Sequence, residues 1–155
     1  MDGKIADRLR GKRRVCFDSM AVVYLIEEER KYLPAVQPLF HLLDQGRLFG
    51  ISSYLTLLEV LVKPLRCGER GLVRQYTSIL TQSRNVQLYA VDREVAEKAA
   101  EIRAKYKDDG IRTPDAVQLA TAICQRADVF VTNDKKLRKC SDLIEMLFLD
   151  EFVTF

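Results

Sequence analysis

Four carboxylates stand in contexts that could do chemistry: Asp18, Glu59, Asp115 and Asp134. Asp18 directly follows the apolar run Val15-Cys16-Phe17 and precedes a helical pattern, which puts it at a strand-to-helix joint. Asp134 follows Val129-Phe130-Val131 across Thr132-Asn133, a second such joint. Asp115 falls in the first turn of a helix opened by Thr113-Pro114, and Glu59 lies inside Leu55-Thr56-Leu57-Leu58-Glu59-Val60-Leu61-Val62. In open α/β sheets, the joints at the carboxyl ends of strands line the ligand crevice. Carboxylates gathered there raise one another's pKa and call for a cation. Oxygen donors suit a hard divalent ion such as magnesium, which keeps several of its waters. Such an ion lowers the pKa of a bound water and neutralises charge on a phosphoryl oxygen. Acids without a catalytic His or Cys in view point to metal-assisted phosphodiester chemistry on a nucleic acid rather than to acyl transfer.

Each acid also has a plainer explanation. Asp18 is a good helix N-cap. Asp115 suits the positive end of a helix dipole. Asp134 fits a turn or the cap of a short helix. Glu59 could share a narrow solvent stripe with Thr56 and pair with Lys63 at i+4. Against that, a helix apolar all round reads as buried, and a buried carboxylate is costly unless paired or metal-bound. The joint pattern favours a site: two acids follow strands, one opens a helix leading into the Asp134 strand, and one is embedded in an apolar helix.

The elements that must position these acids are legible along the chain. The strands are Val15 to Phe17, Leu48 to Ile51, Val86 to Val91, Val129 to Val131 and Ile144 to Leu149. Between them lie helical patterns over Met20–Glu28, Pro34–Gln45, Tyr54–Val62, about Glu69–Ser83, Arg93–Tyr106 and Thr113 to about Arg126, with a short helix at Lys135–Arg138. Gly46 is placed as a C-terminal stop, Ser52-Ser53 and Asp92 as N-caps, and Thr113 as the N-cap ahead of Pro114. Pro64 and Gly68 end the helix that carries Glu59. Strands that alternate with helices and read as continuous apolar runs predict a parallel sheet covered on both faces, a three-layer α/β/α sandwich.

The bulk numbers fit one soluble domain. The chain has 155 residues, 48% hydrophobic and 30% charged, with a net charge of +3. That charge is too small to announce a nucleic-acid binder alone. Cys16, Cys67, Cys124 and Cys140 show no paired spacing and His41 is the single histidine, so no structural zinc site is legible. Unpaired cysteines, no secretory leader and no apolar run of spanning length predict an intracellular, cytoplasmic protein that does not enter a membrane. Residues 1–13 read as a basic, poorly ordered N-terminal extension, with Lys4, Arg8, Arg10, Lys12 and Arg13 against Asp2 and Asp7. The folded domain is then 14–155.

The segments Phe17-Asp18-Ser19, Thr56-Leu57-Leu58-Glu59-Val60, Thr113-Pro114-Asp115-Ala116-Val117-Gln118-Leu119-Ala120-Thr121-Ala122 and Val131-Thr132-Asn133-Asp134 occur in an order that resembles the PIN-domain ribonucleases. The likeness is strongest to the VapC-type toxins of toxin–antitoxin pairs, and it runs from about Arg14 to the C-terminus. It implies a parallel sheet with the first strand near its centre and an endoribonuclease using magnesium or manganese, with one or two ions per site. Asp18, Glu59, Asp115 and Asp134 would form the acidic quartet, with Asp18 and Asp115 the first choices for direct ligands. Ser19, Thr132 and Asn133 match supporting polar positions that bond the acids or the scissile phosphate. The implied reaction is in-line attack of an activated water on phosphorus, leaving a 5′-phosphate and a 3′-hydroxyl. The resemblance also implies a cognate antitoxin that occludes the site, and a homodimer. Lys135, Lys136, Arg138 and Lys139 follow Asp134 and read either as contacts to RNA phosphates or as a solubilising helix end. The late first Asp, at position 18, departs from the family pattern.

A phosphatase of the haloacid-dehalogenase type needs an acid or threonine two residues after its first Asp, where this chain has Met20. A response-regulator receiver needs paired acids after its first strand, and only Asp18 is there. The alternative of another class is a PIN-like module that binds RNA or protein without cutting.

Overall fold

The computed structural model describes residues 2–153. Five strands form one all-parallel sheet in the order β3-β2-β1-β4-β5. They are β1 (Arg14–Phe17), β2 (Phe49–Ser53), β3 (Val86–Tyr89), β4 (Val129–Thr132) and β5 (Met146–Phe148). The helices are α1 (Asp2–Leu9), α2 (Ser19–Ile26), α3 (Leu33–Asp44), α4 (Tyr54–Arg66), α5 (Arg70–Thr81), α6 (Arg93–Lys105) and α7 (Thr113–Cys124). Two 3₁₀ segments, Lys135–Cys140 and Leu149–Phe152, flank β5. This is the three-layer α/β/α arrangement predicted from the alternation of patterns, with β1 at the centre.

Successive strand residues point to opposite faces, so each strand feeds both layers. Val15, Phe17, Val129 and Val131 pack with α1, α2, α3 and α5 on one side. Cys16, Ile51, Phe130 and Phe148 pack with α6 and α7 on the other. Phe17 is wholly buried and meets Phe40 edge-on at 5.5 Å. Its ring takes the space beside Gly50, where a Cβ would lie 3.1 Å from Phe17 and 3.2 Å from Leu43. Gly46 carries a φ of +73° just past α3, the left-handed stop that a glycine accepts without cost. The entry of β1 is clamped by Asp128, which accepts from the backbone N–H of Arg13 at 2.7 Å and of Arg14 at 2.9 Å. These two bonds hold the Asp128 carboxyl below its usual range.

Chain order and sheet order diverge at β1. The crossovers through α2–α3 and α4–α5 build β2 and β3 on one side, and that through α6–α7 returns to place β4 on the other. Such a switch point opens a crevice at the carboxyl ends of the two strands. Asp18 leaves β1 there, and the turn leading to Asp134 leaves β4 beside it.

Three expectations are corrected. Within the N-terminal extension, Asp2–Leu9 is helical rather than poorly ordered: Ile5 and Leu9, one turn apart in α1, are buried in the core beside α3. Two apolar residues among so many charges gave no visible stripe. Pro64 does not end α4, which continues to Arg66. It sits buried in the last turn, where a missing N–H costs one bond, and Gly68, φ +71°, makes the actual turn. Thr113 is the first residue of α7 rather than its cap, because Arg112 takes the extended cap conformation. No helix among the described residues is long and apolar enough to cross a membrane. All four cysteines are free, with Cys16 and Cys140 buried.

If α1 is part of the core, Ile5→Ala should lower unfolding stability by about 2–4 kcal/mol in a denaturant titration. A loss below about 0.5 kcal/mol would mean that the helix is merely laid on the surface.

Candidate active site at the carboxyl edge of the sheet

Asp18 caps α2 from the end of β1, with Oδ1 accepting from the Met20 N–H at 3.1 Å. Its other oxygen, Oδ2, accepts from the Thr132 hydroxyl at 2.5 Å. Thr132 is fully buried at the end of β4, and its Oγ1 also accepts from the Asp134 N–H at 3.1 Å. One hydroxyl therefore ties the ends of the two strands together. Asp18 is only 9% exposed, and burial pushes its pKa up to about 6. The Thr132 and backbone hydrogen bonds oppose that rise, while the charge of Glu59 adds to it.

Asp115 is the third residue of α7. Its Oδ2 accepts from the Arg112 N–H at 2.9 Å, closing the first turn. Asp134 caps the 3₁₀ segment and accepts from the Lys136 N–H at 3.2 Å. The Lys136 ammonium then lies between two acids, 3.2 Å from Asp115 Oδ2 and 3.5 Å from Asp134 Oδ2.

Glu59 departs from expectation. The apolar sequence around it predicts a buried helix, yet α4 leaves Leu58 59% and Leu65 62% exposed, with Tyr54 and Val62 also in solvent. Glu59 itself is on the exposed side. Its carboxylate end is nonetheless sheltered, since Oε1 accepts from Gln118 Nε2 at 3.2 Å. Partial burial raises its pKa, the Gln118 bond opposes the rise, and the Asp115 charge adds to it. Thr56 is buried rather than on a shared solvent stripe.

The four acids thus share one edge of the sheet. Asp18 feels Glu59, Glu59 feels Asp115, Lys136 joins Asp115 to Asp134, and Thr132 joins Asp134 to Asp18. Among the described residues, no three acidic, His or Cys side chains lie arranged to hold a metal ion as they stand. The donor chemistry still fits a hard cation: every donor is a carboxylate oxygen, and a cationic group already sits between two of them.

The supporting residues divide. Thr132 bonds an acid. Asn133 bonds none of the four; its Nδ2 donates to the Tyr24 hydroxyl at 3.2 Å and its Oδ1 accepts from the Asp150 N–H at 2.9 Å, which pins the C-terminal segment. Ser19 makes no hydrogen bond to the acids among the described residues. The basic run is paired with acids throughout. Lys135 meets Asp150 at 3.3 Å, Arg138 meets Glu151 at 3.1 Å, and Lys139 meets Asp109 at 3.4 Å. Gln118, Thr56 and Ser52 were not legible as site residues. The signal was a glutamine inside Ala-Val-Gln-Leu-Ala, three residues after Asp115 and so on its helix face.

Because the folded pKa of Asp18 lies above its unfolded value of 3.8, its ionised form costs stability. That cost is complete above about pH 6 and gone below about pH 4. In EDTA, wild type should lose stability relative to Asp18→Asn by on the order of 2–3 kcal/mol as pH rises from about 4 to about 7. Denaturant titrations of both proteins across this range measure the change. A difference that stays constant with pH would contradict the raised pKa.

A search of curated protein sequences found no match. Solved structures share the fold at low identity. A chain of VapBC2 from Rickettsia felis, bound to a DNA fragment from its promoter, superposes with a TM-score of 0.68 at 16% identity, covering 87% of this chain and 98% of that one. VapBC-1 from nontypeable Haemophilus influenzae gives 0.63 at 16%, covering 88% and 98%. A toxin–antitoxin complex from Klebsiella pneumoniae gives 0.60 at 21%, covering 87% and 97%. The PIN domain family model matches residues 15–143, a span that holds all four acids. This protein belongs to the PIN domain family.

Proposed function

We propose that this chain is a metal-dependent endoribonuclease, the toxin of a VapC-type toxin–antitoxin pair. The observation that carries the reading is the gathering of Asp18, Glu59, Asp115 and Asp134 at the carboxyl edge of the sheet, where the Lys136 ammonium already sits between Asp115 and Asp134. Asp18, Asp115, Glu59 and Asp134 would hold one or two magnesium or manganese ions. Bound there, such an ion supplies charge neutralisation at a phosphoryl oxygen and an acidified water.

The chain's own residues do the rest. Thr132 and the Met20 N–H each hold one oxygen of Asp18, which fixes its rotamer at the end of β1. Asp115 keeps its place through the first-turn bond to Arg112. The N-termini of α2 and α7 both open at this edge and favour an anionic substrate. Lys136 stands ready to exchange a carboxylate for an RNA phosphate, and Lys135, Arg138 and Lys139 flank it. Cleavage would leave a 5′-phosphate and a 3′-hydroxyl. The structural neighbours come from toxin–antitoxin complexes, which supports a cognate antitoxin as partner. A homodimer and a cytoplasmic setting are parts of the same proposal. Residues 14–155 would be the nuclease domain, with α1 packed onto it.

Incubation of the purified protein with a mixed structured RNA pool tests this. Cleavage should appear with magnesium or manganese, stop in EDTA, and fall at least 100-fold in Asp115→Asn with the fold intact by circular dichroism. A folded, partner-free protein that binds RNA but cuts none at any metal concentration would instead be a binding module.

A further inference from the structure

We propose that Gln118 is a positioning residue of the acidic site: its buried amide holds the Glu59 carboxylate, through a polar chain anchored at the end of β1. The inference rests on the metal-site reading above and extends it. Gln118 is 4% exposed, on the face of α7 that carries Asp115 one turn earlier. Its Nε2 donates to Thr56 Oγ1 at 2.8 Å and to Glu59 Oε1 at 3.2 Å. Thr56 Oγ1 lies 2.8 Å from Ser52 Oγ, and Ser52 donates to the Phe17 carbonyl at 2.7 Å. Phe17 is the residue before Asp18. Each hydroxyl has one proton, and that of Ser52 is committed to Phe17, so Thr56 supplies the proton between the two. Both hydroxyl residues are fully buried.

Two features separate this from packing. First, Gln118 Oε1 is buried without a hydrogen-bond partner among the described residues. An orphaned amide oxygen is destabilising, and Leu or Met would fill the same space without it. What an amide provides there, and a hydrocarbon does not, is the pair of donors to Thr56 and Glu59. Second, Glu59 has no other hydrogen-bond donor among the described residues and stands on an exposed helix face. The Asp115 charge opposes an ionised Glu59 and the Arg112 charge favours it, while the bond from Gln118 is the one hydrogen bond among the described residues that holds its carboxylate beside α7.

Calorimetric titration of the metal-stripped full-length protein with Mn²⁺ alone tests this on wild type, Gln118→Leu, Glu59→Gln and the double variant. Gln118→Leu should weaken Mn²⁺ binding about tenfold, in the range seen when the groups that orient metal ligands are removed. The double variant should bind no more weakly than Glu59→Gln, because Gln118 acts through Glu59. A purely structural Gln118 would lower the melting temperature and leave Mn²⁺ affinity alone; that result, or fully additive losses, overturns the proposal. If Gln118→Leu fails to fold, isosteric Thr56→Val decides: a severalfold weakening supports the chain, and an unchanged affinity rejects it. Wild type that binds no Mn²⁺ would remove the metal site itself, a failure distinct from that of Gln118.

Discussion

Charge repulsion running from Asp18 through Glu59 to Asp115 is the constraint that the polar structure of this protein is arranged to oppose. Each acid is fastened to a different element. Asp18 is held by Thr132 and the start of α2, Glu59 by Gln118, Asp115 by the first turn of α7, and Asp134 by the 3₁₀ segment. Lys136 neutralises part of the charge between Asp115 and Asp134. The elements are in turn fixed by a sheet whose central strand is buried on both faces, so the backbone positions of the acids cannot move apart without moving the core. Burial of Asp18 turns this arrangement into stored electrostatic cost, which a divalent ion would relieve.

The fold was readable because its strands are short continuous apolar runs set between helical patterns, and a parallel sheet with both faces covered requires that. The acids were readable because three of the four follow a strand or open a helix, positions that parallel topology sends to one edge. Position in the chain located them where side-chain geometry could not. The apolar surroundings of Glu59 pointed to it for a reason the structure does not support: α4 is only half covered, and the exposed Leu58 and Leu65 belong to its outer side.

What stayed illegible depends on long-range pairing. Asn133 follows the right strand in the right turn, yet it bonds Tyr24 and Asp150, residues 109 and 17 positions away. The basic run after Asp134 gave no sign that every member meets an acid, because all of those acids but Asp134 come from other segments. The burial of Ile5 and Leu9 depends on α3, which no pattern within the first 13 residues records.

Diffraction from crystals soaked in Mn²⁺, with anomalous data at the manganese edge, addresses the central claim most directly. The expected map shows manganese at the carboxyl edge of the sheet, bound by oxygens of Asp18, Asp115 and their acidic neighbours, with the Lys136 ammonium displaced from between Asp115 and Asp134. A map with Lys136 still bridging those two acids and no manganese at this edge, at millimolar metal, would contradict the account.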